Sequence, residues 1–202
     1  MQLKHIAEFN EPWALAVLPD GRLLITERSG QLILFNPIDQ TKTLIRNIPK
    51  VAYGGQGGLG DIALHPEFAQ NHQIYLSYAE AGQGGYGAVV IRADVNLDQA
   101  QPQLDNLKMI WKQAPKVRGQ GHYAHRMLFD GAGKLWVSSG ERQKFEPAQD
   151  LTSNLGKMIR LNDDGSVALD NPFQTQGDIA KQIWSLGHRN PLGMALDAKK
   201  QL

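Results

Sequence analysis

The sequence contains no cysteine among its 202 residues. This absence excludes a disulfide framework, a thiolate metal site and a catalytic thiol. Charge of one dominant sign is also missing, because 21 lysines and arginines stand against 20 aspartates and glutamates. That balance argues against a nucleic-acid-binding surface, so no nucleic acid partner is expected. No apolar run approaches the ~18 residues of a membrane span. Residues 1–5 also lack the apolar core of a signal peptide.

Glycine and proline are plentiful, with 21 and 10 residues, and indicate a chain rich in turns and strands. One pattern recurs, in which an apolar strand, a turn with Asp, Gly or Pro, and a second apolar strand follow each other. Further strands are expected at residues 31–35, 88–95 and 157–161. The pattern predicts an all-β fold built from four-stranded antiparallel propeller blades, and an irregular β-sandwich is the alternative. The repeats occupy residues 13–27, 59–80, 126–141 and 193–202.

The fourth repeat stops where its second strand should begin. Propellers close with about four to eight blades, whereas these repeats supply about three and a fraction. We therefore expect residues 1–202 to form a partial β-propeller domain, the N-terminal blades of a longer protein, with the C-terminal blades absent. An open solenoid-like array is the less favoured alternative.

A glycine-rich segment at residues 55–60, Gly-Gln-Gly-Gly-Leu-Gly, has the spacing of a dinucleotide-binding fingerprint. That fingerprint needs a strand before it and a helix after it. Here the preceding segment reads as a loop and the following one as a strand, so the dinucleotide interpretation is rejected. The segment is either a structural loop, which composition alone favours, or a loop close to a flat ligand with Gln56 as its polar tip.

Two histidines lie three residues apart, His122 in a predicted loop and His125 at its junction with a strand. No carboxylate or third histidine lies nearby, which disfavours a metal site. A histidine on such a loop suits a general base, although a hydrogen-bonded loop histidine is commoner. Glu141 could orient that base, but Glu27 and Glu80 end the matching strands, so a repeated structural acid explains Glu141 equally well.

The segment Leu-Gly-His-Arg-Asn-Pro-Leu-Gly at residues 186–193 concentrates polar groups in one turn. Arg189 offers a planar fork of donors that suits a carboxylate or a quinone carbonyl. Asn190 precedes Pro191 and is expected to be extended or in a turn. The alternative is an Arg–carboxylate contact between blades.

Taken together, the sequence resembles the soluble PQQ-dependent sugar dehydrogenases, the glucose/sorbosone dehydrogenase family, and is most similar to its bacterial aldose sugar dehydrogenase branch. The resemblance implies a six-bladed β-propeller that holds pyrroloquinoline quinone (PQQ) and calcium at one mouth of its central channel. The matching blocks are Leu-Ile-Thr-Glu-Arg at residues 24–28, Gly-Gly-Leu-Gly at 57–60, His-Pro-Glu-Phe at 65–68, Gly121-His122 with Arg126, Leu-Gly-Lys-Met-Ile-Arg-Leu-Asn at 155–162, Asp-Gly at 164–165, Asp-Asn-Pro at 170–172 and Leu-Gly-His-Arg-Asn-Pro at 186–191.

By resemblance, His122 is the catalytic base that removes the proton of the sugar's anomeric hydroxyl, while the C1 hydride passes to the quinone and a lactone forms. Arg189 polarises the quinone carbonyl that receives the hydride. Asn190, Gln56 and Arg189 bind the cofactor, and Glu141 supports the histidine, where the glucose-specific branch carries Asp.

Two departures limit what the resemblance implies. Gly121 stands where the glucose-specific branch has an acid, so selectivity for glucose does not carry over. The basic residues that grip the PQQ carboxylates lie in later blades, and the calcium ligands are expected beyond Leu202, so no metal ligand is assigned here. The complete protein is expected to be an enzyme, and this stretch alone to be inactive.

The resemblance further implies an aldose substrate, an external electron acceptor and a periplasmic or envelope-associated location. An oligomer is compatible with the sequence. Two other functions remain, a non-catalytic propeller of the Hedgehog-interacting type that binds a protein partner and a calcium-dependent lactonase-type hydrolase. The joint presence of His122, Arg189 and Asn190 favours the dehydrogenase.

Overall fold

The computed structural model describes residues 4–199 and 202, and these residues form three four-stranded antiparallel sheets. Within each sheet the strands are adjacent in chain order. The first sheet contains β1 (Pro12–Val17), β2 (Leu23–Glu27), β3 (Gln31–Phe35) and β4 (Lys42–Ile45). The second contains β5 (Leu59–Leu64), β6 (Gln73–Gly82), β7 (Gly85–Val95) and β8 (Leu104–Lys112). The third contains β9 (Ala124–Phe129), β10 (Leu135–Ser139), β11 (Lys157–Leu161) and β12 (Ile183–Leu186).

Little of the described chain is helical. A single-turn helix, α1 (Phe68–Asn71), joins β5 to β6, and short 3-10 turns lie at Glu146–Gln149 and Ala180–Gln182. In the described part of the chain, no helix has the length and apolar character needed to cross a membrane.

The first hairpins of the first and third sheets share one turn chemistry. The carboxylate of Asp20 accepts the backbone N–H of Arg22, and that of Asp130 accepts the N–H of Lys134, both at 2.9 Å. Each turn also contains a glycine with positive φ, at residue 21 (88°) and residue 133 (72°). Asp and Gly are the residues that such turns require, which explains why the repeat was visible in the sequence.

The core is divided between the sheets. One buried cluster lies between the first and second sheets and includes Leu24, Leu32, Ile74 and Leu76. A second cluster, with Val90, Val137 and Ile159 among its members, lies between the second and third sheets. The first strands of the sheets contact each other in the order β1, β5, β9. Sheets packed face to face around a shared inner edge are blades of a propeller, so the predicted fold class is confirmed.

The two outer sheet faces keep exposed apolar side chains. Leu15 and Val17 are exposed on the first sheet, and Trp184 on the third. The alternating pattern of a strand places these residues opposite the two buried clusters. Each outer face therefore has the apolar character of a blade face that packs against a neighbouring blade.

Three of the four repeats form the first two strands of a sheet, as predicted. The fourth repeat differs, because residues 191–197 form no strand and residues 198–199 form a turn. Residues 200 and 201 of this repeat lie outside the described residues. A strand needs a partner for its backbone N–H and C=O groups. None of the twelve described strands pairs with this segment.

Candidate active site

The third sheet brings three loops to one of its ends. The chain enters β9, leaves β10 and leaves β12 at this end, because antiparallel neighbours alternate in direction. These loops carry His122, Glu141, and the pair Arg189 and Asn190. The loop before β5 adds Gln56, whose side-chain Oε1 accepts the backbone N–H of His122 at 2.7 Å. The five residues that the sequence singled out therefore lie close together.

His122 and Glu141 form the centre of this group. The Nδ1 atom of His122 is hydrogen-bonded to Oε1 of Glu141. The two side chains are only 10% and 2% exposed. The other carboxylate oxygen of Glu141 accepts the backbone N–H groups of Lys144 at 2.5 Å and Phe145 at 2.7 Å. The carboxylate is thus fixed by hydrogen bonds on both of its oxygens.

The electrostatics of Glu141 define the role of the ring. Burial acts to raise the pKa of Glu141, but hydrogen bonds from the Phe145 N–H and from His122 outweigh it and lower the pKa below its usual value. An ionised carboxylate only accepts hydrogen bonds, so Nδ1 of His122 carries the proton. In a neutral ring the Nε2 atom is then an acceptor, which is the state that a general base requires.

The two loops that hold this pair adopt strained backbone conformations. His122 has φ of 51°, and residues that carry a Cβ atom are rare there because the left-handed region favours glycine. Such conformations persist where the surroundings over-determine them, and they cluster at ligand-binding and catalytic sites. Other non-glycine residues with positive φ are Arg142 (59°), Gln143 (59°) and Phe145 (62°) in the loop after β10, and Ala124 (57°) and His125 (54°) at the start of β9.

Gly140 allows the three loops to approach each other. A Cβ atom at this position would lie 1.9 Å from the carbonyl oxygen of His122 and 3.0 Å from Oδ1 of Asn190. No side chain fits in that space, so only glycine can stand between β10 and Glu141. The sequence pattern gave Gly140 no role, although its place just before Glu141 was the available signal.

Arg189 lies beside the histidine–carboxylate pair. Its backbone carbonyl accepts the N–H of Glu141 at 2.8 Å, which fixes the turn. Its side chain is exposed. No ion pair links Arg189 to any carboxylate within residues 4–199 and 202, so the described chain offers no partner for an Arg–carboxylate contact between blades.

Asn190 has an unsatisfied side-chain atom. Its Oδ1 is buried and accepts no hydrogen bond from the described residues. A buried acceptor without a donor is costly, and in native structures it calls for an explanation such as a ligand. Asn190 and Arg189 thus offer an acceptor and a cationic donor at the same turn.

The glycine-rich segment is a loop. It is followed by strand β5 and not by a helix, which agrees with the rejection of a dinucleotide site. The backbone N–H of Gln56 donates to the carbonyl of Gln120 at 2.8 Å. With the bond from His122 to the Gln56 side chain, this contact joins the loop to the segment that carries His122.

His125 lies apart from the site. Its side chain is buried against Trp13, with ring centroids 5.9 Å apart and an angle of 6° between the ring planes. Its Nδ1 lies 2.7 Å from Oγ of Ser77. Burial, with smaller contributions from Arg126 and Arg142, lowers the pKa of His125 to about 3. Among the residues that the structure describes, no group of three or more His, Cys, Asp or Glu could hold a metal ion.

Sequence reasoning missed the buried polar residues behind the site. Gln113 donates to Oγ of Ser139 at 3.0 Å and accepts the N–H of Ala88 at 2.8 Å, so it joins the second and third sheets. Arg142 is 1% exposed and donates to backbone carbonyls next to His122. No local pattern marks Gln113, whereas a Glu-Arg pair recurs at the end of β2 and just after β10 and could have drawn attention to Arg142.

Comparisons with known proteins agree with this architecture. The sequence model of the Glucose / Sorbosone dehydrogenase family matches residues 9–202. The aldose sugar dehydrogenase YliI of Escherichia coli (strain K12) is 37% identical over 191 residues, covering 94% of this chain and 51% of the relative. Quinoprotein glucose dehydrogenase B of Acinetobacter calcoaceticus is 26% identical over 227 residues, covering 98% and 46%. The chain spans about half the length of these curated relatives.

Solved structures give the same result. The apo-form of the soluble aldose sugar dehydrogenase from Escherichia coli superposes with a TM-score of 0.88 at 38% identity, covering 94% of this chain and 55% of that one. The PQQ-bound aldose sugar dehydrogenase from Streptomyces coelicolor gives 0.87 at 30% identity, covering 98% and 57%. The chain therefore belongs to the glucose/sorbosone dehydrogenase family.

Proposed function

We propose that the complete protein oxidises aldose sugars at C1 to lactones, with PQQ as its redox cofactor. The observation that carries this proposal is the His122–Glu141 pair. In this pair Nε2 of His122 is left as an acceptor, and the loop of His122 meets the turn that holds Arg189 and Asn190. Membership of the sugar dehydrogenase family and the PQQ-bound relative support it. No specific observation favours the protein-binding propeller or the calcium-dependent lactonase over the dehydrogenase.

The residues present fit PQQ. The buried Oδ1 of Asn190 lacks a donor, and a heteroaromatic N–H would supply one. The Arg189 side chain and the exposed Gln56 amide offer donors for carbonyl and carboxylate oxygens. We therefore assign Gln56, Arg189 and Asn190 to cofactor binding. When bound, PQQ supplies a two-electron acceptor for the hydrogen and electron pair that leave C1 of the sugar.

The chain's own residues supply the proton chemistry. Nε2 of His122 takes the proton of the C1 hydroxyl, and the O–H bond breaks as the N–H bond forms. Glu141, held by two backbone N–H groups, keeps the ring oriented and stabilises the imidazolium ion that results. The guanidinium of Arg189 stabilises negative charge that develops on an adjacent oxygen.

Calcium, an external electron acceptor and a periplasmic or envelope-associated location are further parts of the proposal for the complete protein. No residue of the described chain is assigned to calcium. These features follow from the family resemblance, and the geometry above does not depend on them.

The test is dye-linked sugar oxidation by the complete protein. PQQ and calcium are added separately and together, with glucose and other aldoses as substrates, and the lactone is identified chemically. We expect activity that requires PQQ and yields lactone. A folded protein that binds PQQ but oxidises none of the aldoses would contradict the proposal and favour a binding propeller.

A further inference from the structure

A Glu-Arg dipeptide lies where the second strand ends in both the first and the third sheets. Glu27 and Arg28 lie at the end of β2, and Glu141 and Arg142 lie just beyond β10. In both cases the arginine donates to carbonyls of a glycine-containing loop at the same end of the sheets. Arg28 donates to the carbonyl of Gly55 at 2.5 Å, next to Gln56.

Arg142 makes the more extensive set of contacts. Its Nε donates to the carbonyl of Gly121 at 2.8 Å, its Nη2 to that of Gly119 at 2.6 Å, and its Nη1 to that of Tyr86 at 2.6 Å. The guanidinium also lies 3.7 Å from the ring centroid of Tyr123. All three nitrogens of the planar guanidinium thus donate hydrogen bonds, two to the loop that carries His122 and one to strand β7 of the neighbouring sheet.

Arg142 bonds particular backbone carbonyls, and packing alone would not require a buried cation at this position. Burying a cation that has only neutral acceptors carries a desolvation cost. Arg142 has no ion pair within the described residues, and its donors select the carbonyls of residues 119 and 121. These residues immediately precede His122, which has the strained φ of 51°. The desolvation cost of burying Arg142 is therefore accompanied by hydrogen bonds that hold one conformation of the loop before His122.

We infer that Arg142 is a positioning residue that fixes the loop of residues 119–123 so that His122 meets Gln56 and Glu141 at once. In this conformation the backbone N–H of His122 reaches Gln56 and its ring reaches Glu141. Arg142 touches neither substrate nor cofactor in this role. Its effect on catalysis rests on the function proposed above, whereas its effect on the loop does not.

Lys157 provides a matched control. It is also a fully buried cation, and its Nζ donates to three backbone carbonyls, those of Pro147 (2.6 Å), Ala148 (3.0 Å) and Leu155 (2.7 Å). None of these carbonyls belongs to residues 119–123. Removing Lys157 therefore costs the same class of interaction in the same sheet without releasing the loop of His122.

The experiment measures native-state amide hydrogen exchange of the complete protein and its R142M, R142K and K157M variants. The readout is the exchange rate of the His122 amide divided by that of core amides in β10 and β11. We expect R142M to raise this ratio about tenfold or more, and R142K to raise it less because an ammonium cannot reproduce the planar fork. K157M should lower stability without raising the ratio.

Equal ratios in R142M, R142K and K157M would overturn the inference, because Arg142 would then contribute only general stability. If R142M does not fold, R142K against K157M decides the question in the same way. In the complete enzyme, R142K should lower kcat by up to about 10²-fold with a smaller change in KM. A raised exchange ratio with unchanged kcat would overturn the catalytic part alone. The exchange result stands even if the protein oxidises no sugar.

Discussion

His122 and His125 are three residues apart in the chain, yet the structure gives them opposite properties. His122 lies in the loop before β9, bonded to an ionised carboxylate, and His125 lies within β9, bonded to the hydroxyl of Ser77. Burial lowers the pKa of His125 to about 3, so this ring stays neutral near pH 7 and is closed off from any ligand. The hydrogen-bond partner of each histidine and its position relative to β9 therefore decide which of the two can act as a base.

Replacing the two histidines is the strongest way to break this comparison. We expect His122→Ala in the complete protein to lower sugar oxidation by a factor of about 10² to 10⁴ while PQQ binding is retained, because the general base is removed. Dye reduction and a PQQ titration measure the two quantities. His72→Gln, at an exposed histidine beside α1, is the control and should leave the rate unchanged. An unchanged rate in His122→Ala would remove this residue from the base role.

The neighbours of the two rings give a second test. Glu141→Gln should lower kcat by about 10²-fold, because an amide does not hold Nδ1–H as an ionised carboxylate does. Ser77→Ala removes the hydrogen bonds of the Ser77 hydroxyl with the ring and the carbonyl of His125 and with the Asp61 N–H. It should leave kcat within about twofold, with about 1–3 kcal/mol of stability lost. Steady-state kinetics and urea unfolding of the complete protein separate these effects. Similar losses of kcat in both variants would show that the two environments do not differ functionally.

The sequence predicted those parts of the molecule that depend on local signals. Repeated strands, the Asp and Gly turns at residues 20–21 and 130–133, and the loop position of His122 are all encoded within a few residues. Strand β8 was missed because four of its consecutive residues are exposed, so apolar and polar residues do not alternate along it. The fourth repeat had the local pattern of a strand, but the described sheets give it no pairing partner.

The site shows the same division. His122, Glu141, Arg189, Asn190 and Gln56 were found from motifs and family resemblance, and the structure brings them together. The sequence left open whether Glu141 matches Glu27 and Glu80 as a structural acid. In the structure Glu27 accepts the N–H of Asn10 and Glu80 pairs with Lys116, so the three acids have different partners. Contacts between residues distant in the chain, such as those of Gln113, leave no local signal.

Glycine at residue 60 allows a further test of how His125 is enclosed. A Cβ atom at Gly60 would lie 1.9 Å from Cε1 of His125. We expect Gly60→Ala to lower the free energy of unfolding by about 1–3 kcal/mol, because the buried ring cannot move aside. Gly193→Ala is the control, since a Cβ at Gly193 would meet nothing within 4 Å. Urea unfolding measures the stability of both variants. Equal stabilities would mean that the His125 ring is loosely packed.

The pH dependence of stability tests the same ring through its charge. The pKa of His125 falls from 6.5 to about 3 in the folded state, chiefly through burial. Between these two values the unfolded chain binds a proton at His125 and the folded chain does not. The contribution of His125 to stability is therefore complete above pH 6.5 and is lost as the pH falls, by up to about 1.4 kcal/mol per pH unit.

His125→Asn keeps a polar side chain that can bond the Ser77 hydroxyl in either direction, and it removes the titration. Its free energy of unfolding should therefore fall less steeply than that of the parent chain as the pH is lowered through this range, whatever constant stability the substitution costs. His72→Gln should leave the slope of the parent unchanged, because His72 is exposed. Urea unfolding at a series of pH values gives the slopes. Parallel curves for the parent and His125→Asn would mean that His125 takes up a proton in the folded state, and the contrast with His122 would then rest on hydrogen-bond partners alone.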